Sequence, residues 1–215
     1  MKQYDFILFD YNGTLIDDVE MNIEIENRLL KRRNPHAFMT REMYLDFFDF
    51  PIKDFYEKAG FDFNVESYDD VCDEYKREYE TALKDAKLFD DVVPSLNRLR
   101  QNGKRLVIIS AAERESLVSQ TEKFGIDEYF ESIFGADNLH GKSKVDTALA
   151  WLKSESADPN RVILLGDTTH DAETARQIGC ECFLISRGHN STERLLKTGC
   201  EVFGSIEETM ERLLK

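Results

Sequence analysis

Phe6-Ile7-Leu8-Phe9-Asp10-Tyr11-Asn12-Gly13-Thr14-Leu15 is the stretch on which the fold turns. Four consecutive apolar residues suit a strand buried on both faces, the pattern of a parallel sheet. The polar residues after them suit a turn, and Gly13 allows the backbone to reverse sharply. Residues 106–109, 162–165 and 182–185 are apolar runs of the same kind. Residues 132–134 are weaker, and Val202-Phe203 fits a short edge strand.

From residue 92 onward, helical patterns alternate with these runs. Pro94 suits the first turn of one helix, Leu96 and Leu99 its inner face, and Gly103 its end. Leu117, Val118, Thr121 and Phe124 mark the next, stopped by Gly125. Val145, Ala148, Leu149 and Leu152 mark a third; Ala172, Ala175 and Ile178 mark a fourth, stopped by Gly179. Strand–helix alternation predicts an α/β fold: a doubly wound parallel sheet, Rossmann-like, with helices on both faces.

Residues 17–87 break the rhythm. Val19, Ile23, Leu29 and Leu30 mark one helix, and Tyr68, Val71, Cys72, Tyr75, Tyr79 and Leu83 recur at helical spacing in another. No buried strand is evident there. Phe47, Phe48, Phe50, Phe55, Tyr56, Phe61 and Phe63 make the stretch aromatic-rich, enough for a small core of its own. The predicted organisation is a core of residues 1–16 and 88–215 and an inserted helical cap of residues 17–87.

The 215 residues carry 28 Lys and Arg against 42 Asp and Glu, a formal net charge of −14. Nucleic-acid binding is not expected, because duplex binders cluster Lys and Arg against phosphates. An acidic surface is also repelled by anionic membranes. No apolar run approaches the ~18 residues of a membrane span, and the first residues lack a signal peptide's apolar stretch, so a cytoplasmic location is expected. Cys72, Cys180, Cys182 and Cys200 form no CxxC pair and read as reduced thiols.

In open α/β sheets ligands bind at the carboxyl ends of the strands. Asp10 and Asn12 follow the first strand, Ser110 the second, and Gly166-Asp167-Thr168-Thr169-His170-Asp171 the strand at 162–165. Lys142 and Lys144 open the helix between. Asp10, Asp167 and Asp171 in one crevice would repel one another unless a hard cation sat among them, and Mg²⁺ takes such oxygen ligands. Lysine and serine alongside can hold phosphate oxygens. A carboxylate attacking phosphorus is a known covalent strategy.

With these motifs the chain resembles the haloacid dehalogenase-like hydrolases, in the branch with a helical cap that includes phosphoglycolate phosphatases. Asp10 to Leu15 resembles the family's D-x-D-G-T-L motif with one departure. Ser110, a lysine and the G-D-x-x-x-D of residues 166–171 follow in the family's order. The resemblance implies a Mg²⁺-dependent phosphatase of a small phosphorylated metabolite, phosphoglycolate-like, acting through an aspartyl-phosphate on Asp10. It implies that the Asp10 side chain, the Asn12 carbonyl, Asp167 and Asp171 bind Mg²⁺. Ser110 and a lysine would hold the phosphate. Lys144, directly before an apolar helix face, is favoured for that role over Lys142.

The departure is Asn12, where the family's phosphatases carry an acid/base aspartate. An amide does not exchange protons at neutral pH, and losing such a group typically costs ~10²–10⁴-fold. Three explanations stand: a good leaving group, a substitute proton carrier such as His170, or a site that binds with little turnover. The last makes a phosphate-ligand binding module one alternative. A C-halogen hydrolase is another, since halide needs no proton donor, though it would leave Asp167 and Asp171 without a metal to bind. Gly135 to Ser143 imitates a phosphate-binding P-loop, but with five residues between the glycines instead of four. The oligomeric state is not legible.

Overall fold

The computed structural model describes residues 3–136 and 143–214. Lys142, and most of the P-loop-like stretch, lie outside the described residues. Strand β1 (Phe6–Phe9) is the middle of a six-stranded sheet. The other strands are β4 (Arg105–Glu113), β5 (Ser132–Ala136), β6 (Val162–Gly166), β7 (Glu181–Ile185) and β8 (Glu201–Phe203). The order is β5-β4-β1-β6-β7-β8, and every pairing is parallel.

Alternation along β1 divides the core into two layers. Ile7 and Phe9 point to one face. There they meet α5 (Val92–Gln101), α6 (Arg114–Lys123) and α10 (Ile206–Leu213) through Leu96, Leu99, Leu117, Ile206 and Met210. Phe6 and Leu8 point to the other. That layer holds α7 (Lys144–Glu155), α8 (Thr169–Ile178) and α9 (Thr192–Leu196), through Trp151, Leu152, Ala172, Ala175 and Leu195. This is the doubly wound sheet the apolar runs predicted.

Two details differ from the sequence reading. Leu149, assigned to the inner face of α7, is exposed, and Trp151 packs edge-on against Phe6 instead. The helix is rotated so that its largest apolar side chain is buried, which removes more surface from water than leucine would. The other difference is a pair of two-residue strands, β2 (Ile16–Asp17) and β3 (Lys87–Leu88), paired antiparallel. Single dipeptides carry no periodicity, so pattern could not reveal them.

Between β2 and β3 lie α1 (Val19–Arg33), α2 (Arg41–Phe47), α3 (Ile52–Ala59) and α4 (Tyr68–Ala82). They enclose a separate apolar cluster that includes Ile25, Leu29, Tyr44, Phe55, Tyr56, Phe61 and Val71. The two-stranded ribbon joins this helical insert to the sheet directly beside the carboxyl end of β1. Asn190 and Arg194, beyond β7, hold it from the other side. Asn190 Nδ2 donates to the Phe48 carbonyl at 2.9 Å. Arg194 reaches the Leu45 and Phe48 carbonyls and pairs with Asp49 at 2.8 Å.

Candidate active site

Asp10 leaves β1 with its backbone N–H donating to Leu165 O on β6, 2.8 Å away. The two strand ends therefore deliver Asp10 and Asp167 side by side. Asp10, Asp167 and Asp171 each offer an oxygen within 4.8 Å of the others. Asp167 and Asp171 are fully buried, and the Asp10 side chain keeps 13% of its surface open.

Lys144, the first residue of α7, is buried and stands between two of these acids. Its Nζ lies 2.8 Å from Asp10 Oδ1 and also pairs with Asp171 Oδ1. Burial opposes its charge, but the two carboxylates hold it protonated, well above the ordinary lysine range. Lys144 is thus brought against Asp10 and Asp171, while Lys142 is outside the described residues.

Asp171 belongs to a capping box. Thr168 caps α8, accepting from the Asp171 N–H, and the Asp171 side chain accepts the Thr168 N–H at 3.0 Å and its hydroxyl at 2.6 Å. Burial opposes ionisation of Asp171, but Lys144 prevails and holds its carboxyl below the usual range. Gly166 is required by space: a Cβ there would stand 2.2 Å from the Asp171 carboxyl carbon.

Asp167 receives the Thr14 hydroxyl at 3.0 Å and the His189 N–H at 2.6 Å. Burial and the charges of Asp10 and Asp171 push its carboxyl up, against the pull of His189. Gly13, at φ +68°, carries the chain past it; a Cβ would lie 2.3 Å from Asp167 Oδ2. Asp10 is also raised, chiefly by burial, against the pull of Lys144.

Ser110 is buried two residues beyond Ile108, the partner of Phe9. Its hydroxyl accepts the Ala112 N–H at 3.1 Å. His170 sits in the first turn of α8, partly covered rather than exposed, with its ring 4.4 Å from that of Phe50 of the insert. Burial lowers its pKa.

Two residues escaped sequence reading, Asp18 and His189. Asp18, fully buried, accepts from Asn12 Nδ2 (2.7 Å), Gly13 N (2.9 Å), Asn22 Nδ2 (3.0 Å) and the Tyr79 hydroxyl (3.3 Å). His189 Nε2 lies 3.2 Å from Asp18 Oδ1. Burial works against both charges, yet each supports the other: Asp18 is held below the usual range and His189 is lifted to about 9. An aspartate following another aspartate looks like a solvated turn. His189 was findable, because it follows β7 at the same end of the sheet.

Among the described residues, four carboxylates (Asp10, Asp18, Asp167, Asp171) face two cationic side chains (Lys144, His189). The surplus is negative and its oxygens are hard donors, so the residues present fit a divalent cation such as Mg²⁺. The sequence model of the haloacid dehalogenase-like hydrolases matches residues 7–185, which carry all these groups except His189. This chain belongs to that family.

Relatives within the family differ in what they are named for. Pyrophosphatase PpaX of Bacillus velezensis is 26% identical over 190 residues, 83% of this chain and 81% of that protein. The tyrosine-protein kinase PtkA of Mycobacterium tuberculosis is 31% identical over 131 residues, 59% of this chain and only 45% of that protein. A Haemophilus somnus structure described as a predicted phosphoglycolate phosphatase superposes with a TM-score of 0.79 at 18% identity, covering 99% of each chain. At that identity the likeness is one of fold: a haloacid dehalogenase-like core with its helical insert.

Proposed function

We infer that this family member is a Mg²⁺-dependent phosphatase of a small phosphorylated metabolite, with Asp10 as nucleophile. The observation that carries the reading is the convergence of Asp10, Asp167 and Asp171 around Lys144 at the carboxyl ends of β1 and β6. The pyrophosphatase and phosphoglycolate phosphatase names among its relatives support the same chemistry.

Asp10, the Asn12 carbonyl, Asp167 and Asp171 would hold the metal, which supplies positive charge against a phosphate dianion. Asp10, with an open face, attacks phosphorus; Lys144 and Ser110 bind the phosphoryl oxygens and orient them in line. Asp167 is held in place by Thr14 and the His189 backbone. The insert over residues 17–87 acts as a cap, excluding water when it sits against the 189–194 loop.

A panel of phosphorylated metabolites assayed with Mg²⁺ tests this. Phosphate release should vanish with chelator and in Asp10→Asn, and a trapped phosphoryl group should map to Asp10. Release undiminished in Asp10→Asn would refute it. The second reading, a phosphate-ligand binding module, draws on Asn12; it would be favoured by tight phosphate binding without release from any substrate.

A further inference from the structure

Three polar side chains around Asp10 are already committed: Asn12, His189 and Lys144. Asn12 Nδ2 has two protons, and both are spent: one on Asp18 Oδ2 at 2.7 Å, one on the Tyr79 hydroxyl at 2.7 Å. The direction of the first bond is fixed, because Asp18 also takes the N–H of Gly13 and an amide proton of Asn22 and so has only acceptors to offer. Asn12 is left with Oδ1, which accepts and cannot donate. His189 has both ring nitrogens engaged, by Asp18 and by the Tyr44 hydroxyl at 2.9 Å. Lys144 is pinned between two carboxylates, and the His170 ring packs at a tilt against Phe50.

We propose that Asp18 is a positioning residue that, with Tyr79, locks Asn12 as a pure acceptor, and that the substrates are therefore acyl phosphates or phosphoanhydrides rather than alkyl phosphates. The proposal rests on the phosphatase reading above.

The proton balance shows why the substrate class follows. With an acyl phosphate, Asp10 Oδ forms a bond to phosphorus while the P–O bond to the carboxylate breaks. The leaving group departs with the electron pair as a stable anion. Water then bonds to phosphorus and the P–Oδ bond breaks, returning Asp10 as carboxylate. Both water protons leave on dihydrogen phosphate. No side chain gives or takes a proton in either step, and an acceptor-only Asn12 suffices to orient the water. A phosphoanhydride behaves alike, with phosphate as leaving anion. An alkyl phosphate would have to expel an alkoxide, which needs the proton that this arrangement withholds.

The lock has a second consequence. A carboxylate put at position 12 alone would stand against the Asp18 carboxylate and be repelled from its place. Serine at 18 would remove that repulsion and donate a hydrogen bond to the new carboxylate.

The experiment compares acetyl phosphate and pyrophosphate with ethyl phosphate and a graded series of aryl phosphates, with Mg²⁺. Wild type should turn over the first two at least ~10²-fold faster than ethyl phosphate, with a steep dependence on leaving-group pKa. N12D/D18S should raise ethyl phosphate turnover by about the same factor and flatten that dependence, whereas N12D alone should recover less than about a tenth of the gain. Should the double variant fail to fold, the isosteric D18N decides. Freed to flip, Asn12 should then cost acetyl phosphate kcat about tenfold with KM little changed. Ethyl phosphate consumed by wild type as fast as acetyl phosphate would overturn the proposal and leave the phosphatase reading standing. So would equal gains in N12D and the double variant. Absence of Asp10-dependent release from every substrate would overturn both.

Discussion

The Tyr44 hydroxyl and the His189 Nδ1 meet 2.9 Å apart, each side chain almost wholly buried. Tyr44 comes from α2 of the insert and His189 from the loop after β7, so this hydrogen bond, like those of Asn190 and Arg194, crosses from insert to core. Phe48 lies against the same imidazole, ring centres 4.9 Å apart. Through Nε2 and Asp18 the contact continues to Asn12, two residues from Asp10.

Tyr44→Phe keeps the ring packing and strands a buried ring nitrogen. The expected cost is about 1–3 kcal/mol, or a Tm lowered by several degrees at this chain length. Differential scanning calorimetry reads it. An unchanged Tm would mean that the bond contributes nothing in solution.

Mg²⁺ should stabilise the protein without any substrate. At a hundred times its Kd a ligand contributes about 2.7 kcal/mol, roughly 5–10 °C for a chain of this size. Asp167→Asn should abolish the shift. Because Asp10 and Asp167 are both raised, binding must displace protons, so affinity should increase with pH through the neutral range. Calorimetric titration in buffers of different ionisation enthalpy would count the released protons. Affinity independent of pH would contradict the assigned ligands.

Glu26 is buried within the insert on α1, with Oε2 lacking a hydrogen-bond partner, and burial pushes its carboxyl up to about 8 despite Arg33 and Tyr56. Its folded pKa exceeds the unfolded value of 4.5, so its contribution is complete below pH 4.5 and lost as pH rises through 8. Glu26→Gln should therefore gain on wild type by on the order of 1 kcal/mol per pH unit across that window and hold a constant lead above it. Urea denaturation from pH 5 to 9 measures the difference. Parallel stability curves would rule out a neutral Glu26.

Cys200 stands just before β8, beside Cys182 of β7, and the neighbouring Cys182 thiol lowers Cys200 to about 6. The same interaction and burial raise Cys182. At pH 7 iodoacetamide should modify Cys200 first among the four cysteines, and Cys182→Ser should change its rate profile with pH. Peptide mapping that finds Cys72 alkylated first would contradict this environment.

Much of the fold was legible because buried parallel strands announce themselves as apolar runs. Residues 6–9, 162–165 and 182–185 fall on strands for that reason. Asp10, Asp167, Asp171 and Lys144 were nameable because strand ends and a helix start can be located from those runs. Asp18 and Tyr79 were not. Their meeting with Asn12 depends on how α1 and α4 are placed relative to the sheet, and Tyr79 reads equally well as an apolar helix position. Leu149 against Trp151 was a matter of helix rotation, which neighbouring apolar residues leave undetermined.

The central place of β1 bears on how the molecule is made. Its neighbours in the sheet, β4 and β6, begin about a hundred and more than a hundred and fifty residues later. On the ribosome this strand emerges before either neighbour and waits, unpaired on both edges, until both have been synthesised. Its apolar side chains and free N–H and C=O groups are then a template for wrong partners. The helical insert, whose contacts are local, can fold during the wait and stand beside that strand before either proper neighbour exists. Asp10 is thus translated well before the strands that come to surround it.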